Sequence, residues 1–291
     1  MDINYELYKV FYHVAATLSF SEASKKLFIS QSAVSQSIKV LEKKLDQTLF
    51  IRSTKKVQLT PEGEILLKHV EPAINLISKG ENQLLEANTL NGGQLRIGAS
   101  DTICRYYLVP YLNTFHKAYP NVHIKVTNRT SIECAHLLQN GQVDFIITNY
   151  PNSGLSSSQN VRVINEFYDV FVANQEYFPL KDQAVDLKKL QSYPILMLDR
   201  KSTTSEFLHQ MFQKEQLDLV PEIELSSNDL LIDLARIGLG IAFVPDFCIP
   251  ENDKDLFQVK LTEQLPARQM VVAYNENIPV SQATRQFMDM L

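Results

Sequence analysis

From Gln94 onward the chain alternates short apolar runs with segments of helical period, and it does so twice. Strands are expected at 95–99, 122–127 and 143–148, with helices at about 103–119 and 132–139. A second set opens near Val163, with strands at 169–173, 195–198, 223–225 and 241–244 and helices near 205–215 and 229–236. Parallel neighbours in a sheet cannot be joined by a tight turn, so helical crossovers between buried runs imply mostly parallel, doubly wound sheets. A strand at 270–274 and a closing helix at 282–290 are expected to return to the first set. The expectation is an α/β unit of two lobes, one of residues 91–162 with 268–291 and the other of residues 163–267.

The first sixty residues have a different texture. Tyr5, Tyr8, Phe11, Tyr12, Ala15 and Leu18 recur at helical spacing, which gives a first helix with an aromatic face. Ser19-Phe20-Ser21-Glu22 has the form of a capping box opening a short helix over 22–27, and Ser30 can cap the next one after a turn at Phe28-Ile29-Ser30. That third helix, 31–45, divides into two faces. Val34, Ile38, Leu41 and Leu45 form the inward stripe, and Gln31, Ser32, Ser35, Gln36 and Lys39 lie outward near its N-terminal half. Short amide and hydroxyl side chains on such a face can reach base edges in a major groove, and Gln suits adenine. Two β-prone runs, 49–52 and 57–59, flank a polar, basic tip and predict a hairpin. Arg52, Ser53, Thr54, Lys55 and Lys56 there are placed to meet backbone phosphates.

Charge points the same way. The whole chain carries −5, which by itself argues against nucleic acid. Residues 1–60 hold nine bases against five acids, a net of +4, leaving −9 for the remainder. A basic head on an acidic body can approach phosphate while the protein stays soluble.

The run FSEASKKLFISQSAVSQSIKVLEKKLDQTLFIRSTKKVQLTPEGEILL resembles the N-terminal signature of LysR-type transcription regulators nearly position by position, and the rest of the chain follows that family's layout. One departure is Ser32, where the family usually has proline as the first helical residue. The resemblance implies a winged helix-turn-helix over 1–60, all α apart from its wing. A long linker and dimerisation helix over 61–90 follows, and then an effector-binding domain over 91–291, similar in fold to a periplasmic binding protein of type 2. It also implies that Ser30, Gln31, Ser32, Ser35, Gln36 and Lys39 are recognition-helix contacts and that Arg52 and its neighbours are wing contacts. Double-stranded promoter DNA, a second copy or three further copies of the chain, RNA polymerase if the regulator is an activator, and a small-molecule effector are the implied partners.

Thr60-Pro61-Glu62 is a helix start: a hydroxyl cap, a proline whose missing N–H costs nothing there, and an acid in the first turn. Leu66, Val70, Ala73, Ile77, Gly80, Leu84 and Ala87 then step by four and three, a seam suited to another helix. A kink is expected near Pro72, and Asn88 to Gly93 ends the helix as a hinge.

Ligands of doubly wound sheets lie at C-terminal strand ends, where helix N-termini aim their amides. Three hydroxyl-rich strand ends occupy such places: Ser100-Asp101-Thr102, Thr130-Ser131 and Ser202-Thr203-Thr204, with Asn149 after a further strand. The resemblance assigns Ser100, Thr102, Thr130, Ser131 and Thr203 to an effector pocket, and Asn149 could add an amide. Such a pocket suits a carboxylate or other small anion, although Asp101 and Arg105 pull its charge in opposite directions.

No nucleophile elbow, phosphate loop or Cys-x-x-Cys pair occurs, and GLGIAF at 238–243 lacks the glycine pattern of a dinucleotide loop. His13, His69, His116, His123, His136 and His209 fall on separate expected elements without metal-ligand spacing. No catalytic residue, metal or cofactor is expected. Cys104, Cys134 and Cys248 are too scattered for a disulfide framework and read as packing residues, with redox sensing the alternative. No apolar stretch is long enough for a membrane span, and Asp2 and Glu6 oppose a secretory signal, so a cytoplasmic protein without membrane contact is expected. A solute-binding or enzymatic domain whose basic head only holds a partner is the competing class.

Overall fold

A computed structural model of the chain describes residues 3–52, 56–87, 93–157, 159–250 and 253–291. It divides into two compact units, Met1–Asn88 with Asn140–Gln142, and the remainder. The first unit contains α1 (Tyr5–Thr17), α2 (Phe20–Leu27), α3 (Gln31–Leu45), β1 (Phe50–Arg52), β2 (Val57–Leu59) and α4 (Pro61–Ala87).

Each helix of the head starts on a polar cap. Asn4, Ser19 and Ser30 accept from the amides of Glu6, Glu22 and Ala33. The expected capping box at Ser19 forms by halves. Its serine caps, but the Glu22 carboxylate turns to Lys25 at 2.7 Å, and the helix opens two residues earlier than expected, at Phe20. All three helices end on a non-glycine residue in the left-handed region, Leu18, Phe28 and Asp46. At Phe28 and Asp46 the following amides reach back to the last turn in a Schellman pattern. Phe11, Phe20 and Phe50 meet at the centre, with ring centroids 5.5 and 6.0 Å apart, over Val34, Ile38 and Leu41.

The linker helix α4 begins against this core. Thr60 accepts from the Gly63 amide and donates to the Thr48 carbonyl at 2.7 Å. A Cβ on Gly63 would stand 2.3 Å from the Leu49 carbonyl oxygen, so only glycine lets the first turn lie that close. The seam expected along α4 is divided in use. Leu66 and Val70 pack with Ile74 on the head, whereas Ile77 and Leu84 are exposed, as are Ile65 and Leu76. Among the described residues the head's core reaches no further than Ile74. The helix runs unbroken through Pro72. The expected hinge lies at residues 88–92, outside the described residues, and continues into Gly93, the first residue of β3.

The second unit runs β3 (Gly93–Ala99), α5 (Asp101–Ile103), a π-helical turn (Cys104–Leu108), α6 (Val109–Ala118), β4 (Val122–Asn128), α7 (Ser131–Gln139), β5 (Phe145–Tyr150), β6 (Asn160–Phe167), β7 (Asp169–Asn174), β8 (Ala184–Val185), α8 (Leu187–Leu190), β9 (Ile195–Leu198), α9 (Thr203–Lys214), β10 (Ile223–Leu225), α10 (Asn228–Arg236), β11 (Ile241–Pro245), β12 (Leu256–Gln258), β13 (Lys260–Leu261), β14 (Arg268–Tyr274) and α11 (Gln282–Met290). Two five-stranded sheets result, β4-β3-β5-β14-β6 and β10-β9-β11-β7-β12. Strand β3 is parallel to β4 and β5, and β9 is parallel to β10 and β11; β14 and β7 run antiparallel to their neighbours. Both faces of each sheet are covered, which explains the near-continuous apolar runs. On β7, Phe171 and Ala173 enter one core while Val170 and Val172 enter the other, and β11 divides likewise.

Two expectations are corrected here. Residues 160–167 belong to the first sheet as its edge strand β6, so the lobes divide between Phe167 and Asp169 and not after residue 162. Val161 and Val163 on that edge are exposed and interrupted by polar residues, which hides the strand from a search for buried runs. The single helix expected from about 103 to 119 is broken by the π-helical turn. Pro110 cannot donate to the Tyr106 carbonyl, and just ahead of it the ladder widens, Val109 donating to Cys104.

The chain crosses between lobes at 167–169 and returns at Arg268, and one ion pair lies at both crossings. Arg268, fully buried, donates through Nη1 to Asp169 Oδ2 at 2.6 Å and to Thr204 Oγ1 at 3.1 Å. Its guanidinium lies 5.4 Å from the Phe167 ring centre and 5.0 Å from that of Phe207. Burial pushes the Asp169 carboxyl pKa up, opposed by Arg268. Removing one partner of such a pair leaves the other charge without compensation. Asp169→Ala is therefore expected to cost about 3–5 kcal/mol in urea unfolding of the chain; a loss below about 1 kcal/mol would show that the pair does not hold the crossing.

Candidate nucleic-acid interface and ligand cavity

The outward side of α3 is open. Ser30, Gln31, Ser32, Gln36 and Lys39 are exposed and Ser35 is half-buried, while Val34, Ile38 and Leu41 have no exposure at all. Ser30 Oγ caps the helix and lies 2.9 Å from Ser32 Oγ. The helix thus presents a row of short donors and acceptors beside its amide end, where the backbone dipole favours an anion.

The hairpin stands against the same helix. Strands β1 and β2 pair antiparallel, Phe50 with Leu59, Ile51 with Gln58 and Arg52 with Val57. Glu42, on the last turns of α3, accepts through Oε1 from the amides of Leu49 at 2.9 Å and Phe50 at 3.3 Å. Its other oxygen pairs with Arg52 at 3.5 Å, and the Arg52 guanidinium lies 4.7 Å from the Phe20 ring centre. Arg52 is thus braced by its own domain and leaves about a third of its side chain, 36%, to solvent. Lys56 is exposed, and Ser53, Thr54 and Lys55 lie outside the described residues.

Sequence reasoning missed Phe28. Its side chain is 94% exposed, in left-handed backbone at φ 55°, two residues before the Ser30 cap. Its signal was an aromatic placed in the turn just before the Ser30 cap.

In the second unit, all six residues expected at the effector pocket line one cavity of about 450 Å³ between the lobes: Ser100, Thr102, Thr130, Ser131, Asn149 and Thr203. Helices α7, α9 and α10 begin at its wall. Thr130 caps α7 in a complete box, its hydroxyl accepting from the Glu133 amide while its own amide donates to Glu133 Oε2 at 3.1 Å. Asn152 supports that end, donating to the Ser131 carbonyl and to Thr148 Oγ1. Ser202 and Ser227 cap α9 and α10. The group Ser226-Ser227-Asn228 was missed, although it repeats the same pattern of strand, hydroxyls and helix after β10. Charge in the lining comes from Asp101, Glu133 and Asp199 against Arg129, and each carboxylate accepts from a side chain or amide close by.

Hydrogen bonds cross the cleft beside the cavity. Asn228 Nδ2 donates to Thr102 Oγ1 at 2.8 Å, Tyr106 Oη donates to Asp229 Oδ1 at 2.7 Å, and Arg105 lies 3.5 Å from the same carboxylate. The π-helical turn sets Arg105 and Tyr106 together towards Asp229, so Arg105 lies outside the cavity lining. Burial, then the bond to Asp229, raises the Tyr106 pKa well above that of a free phenol.

The three cysteines are free thiols. Burial raises Cys104 to about 11 and Cys134 to about 12, and Cys248 higher still. Thiols so held stay protonated near neutral pH and react slowly. Among the described residues no cluster of three or more His, Cys, Asp or Glu could hold a metal ion, and no helix is long and apolar enough to cross a membrane.

Residues 5–64 match the family model described as the bacterial regulatory helix-turn-helix protein of the lysR family, and residues 88–291 match that of the LysR substrate binding domain. A probable RuBisCO transcriptional regulator from a Nostoc species is 30% identical over 246 residues, spanning 82% of this chain and 72% of the relative. Full-length OxyR from Pseudomonas aeruginosa has a similar structure, with a TM-score of 0.73 at 18% identity over 99% of this chain and 94% of OxyR. Full-length CbnR, solved in complex with its target DNA, gives 0.66 at 16% identity over 99% and 98%. At these identities the two structures bear on fold alone.

Glu42→Gln keeps the size of the side chain but replaces the charge that accepts two amides and faces Arg52. It is expected to destabilise the head by about 1–3 kcal/mol, read from amide exchange at Leu49 and Phe50. Unchanged protection there would show that the carboxylate does not hold the hairpin. The thiols are expected to resist iodoacetamide at neutral pH and to become reactive on unfolding; fast labelling of the native chain would contradict their raised pKa.

Proposed function

The chain belongs to the LysR family of bacterial helix-turn-helix regulators, and from that membership we propose that it binds promoter DNA as a homo-oligomer through the outward face of α3. In the same reading it responds to a small molecule held between the lobes of its second unit. The observation that carries the first part is the division of α3, with Gln31, Ser32, Gln36 and Lys39 exposed on a helix whose inward residues Val34, Ile38 and Leu41 have no solvent contact. Ser30 and Ser35 border that face, and Arg52 to Lys56 meet the flanking phosphates. CbnR, of similar fold, has been solved with its target DNA. Phe28, at the entry to α3, adds an apolar contact such as a thymine methyl or a sugar edge could meet.

Oligomers raise the effective concentration of a second head once the first has bound. The exposed Ile65, Ile77 and Leu84 of α4 support pairing with another copy, as a dimer or as a tetramer. Effector binding regulates only if the ligand prefers one arrangement of the molecule over another. The bonds of Thr102 to Asn228 and of Tyr106 to Asp229 supply such a difference, because they exist only while the lobes are closed on each other. RNA polymerase is a partner if the protein is an activator. We read the protein as cytoplasmic, where its DNA is, and as non-enzymatic and without a cofactor. The carboxylates lining the cavity each accept a hydrogen bond, Asp101 from the Asn128 side chain and Glu133 and Asp199 from nearby amides, which supports a binding role over acid–base work.

Gln36→Ala is expected to weaken operator binding by about 1–3 kcal/mol while leaving the sensor's melting unchanged, and affinity should fall steeply with added salt. A wild-type footprint from that variant would remove α3 from the interface. Replacing Cys104, Cys134 and Cys248 together by serine is expected to leave DNA binding unaltered under oxidant. Loss of an oxidant response in the variant would instead establish redox sensing.

A further inference from the structure

Two buried amides in the cavity wall lack partners on one atom. Asn149 and Asn228 are 7% and 4% exposed, both line the cavity, and the carboxamide oxygen of each has no hydrogen-bond partner among the described residues. An unsatisfied buried acceptor costs about 1–3 kcal/mol, so the cavity is built to receive hydrogen-bond donors. The opposite requirement arises a few residues away. Helices α7, α9 and α10 direct their N-terminal ends to the same wall, where Arg129 is the one cationic lining residue, and both favour a negative group. Among the described residues Leu198 is the single apolar side chain in the lining, and every other lining side chain carries a polar group. A volume of about 450 Å³ is that of a small metabolite site.

Resting on the reading of this cavity as the effector site, we propose that its ligand is a small acid carrying its own hydrogen-bond donors, as a hydroxy acid or an amino acid does. The carboxylate lies at the helix ends, and hydroxyl or ammonium hydrogens meet the Asn149 and Asn228 oxygens. Asn228 already bonds Thr102 across the cleft, so a ligand seated on its free oxygen binds best when the lobes are closed.

The full chain should be melted with D-glycerate, L-tartrate, L-serine and L-aspartate, and in parallel with propionate, succinate, benzoate and glycerol. At least one donor-bearing acid is expected to raise Tm saturably, with no shift from the plain acids or from glycerol. The hydroxy and amino members then distinguish the two kinds of donor. Asn149→Ala should weaken that ligand by about tenfold or more while the unliganded Tm stays near wild type, and Asn228→Ala should weaken it at least as much while also losing the bond to Thr102. Should one variant fold poorly, the other carries the comparison. Propionate, succinate or benzoate binding as tightly as the substituted acids would overturn the proposal, and so would the absence of any shift. The same preparation should be used to capture and sequence genomic DNA fragments. Enrichment of one sequence without acid binding sinks only the ligand inference, whereas acid binding without enrichment sinks only the DNA-binding reading.

Discussion

The DNA-facing head depends on a single carboxylate. Glu42 stands on α3 with its inward neighbours Ile38 and Leu41 locked in the core, and it accepts from the amides that open the hairpin while pairing with Arg52. A hydrogen bond to an ionised acceptor is stronger and more directional than one between neutral groups. The helix α3 and the strand that carries Arg52 are thereby set at one fixed spacing. Without that tie the hairpin would be held by three residue pairs and by the packing of Leu49, Phe50, Val57 and Leu59. An isolated hairpin of that length is marginal in water.

A comparable economy holds the second unit. Two strands cross between the lobes, and Arg268 reaches across both crossings to Asp169, Thr204 and the rings of Phe167 and Phe207. Thr204 also lines the cavity, so the group that joins the lobes shares a residue with the wall that would hold a ligand. Buried ion pairs of this kind add little net stability but penalise any arrangement that separates them. That is a suitable property for a crossing that must bend without coming apart. The cross-cleft bonds at Thr102 and Tyr106 join partly buried groups and are weaker than this pair.

Much of this was legible beforehand because it depends on local patterns. The inward stripe of α3, the caps at Ser19, Ser30 and Thr60, and the strands at 195–198, 223–225 and 241–244 each follow from spacing and side-chain type within a few residues. The hydroxyl clusters at strand ends were visible for the same reason. What stayed hidden depended on distant neighbours. Strand β6 looks polar because it is an edge, and the usable length of the α4 seam depended on how far the head extends beside it. Nothing in the spacing around Glu42 points to the hairpin amides of Leu49 and Phe50 from which it accepts.

Sequence alone therefore determined the family, the order of the elements and which side of each faces inward, because periodicity and capping are short-range physics. Tertiary structure decided that Arg52 is braced and not free, that six separated residues share a cavity with Asn228, and that Asp169 and Arg268, 99 residues apart, form one pair. Those outcomes turn on which groups lose their water together. That follows from the packing of whole sheets and helices, which no stretch of residues states by itself.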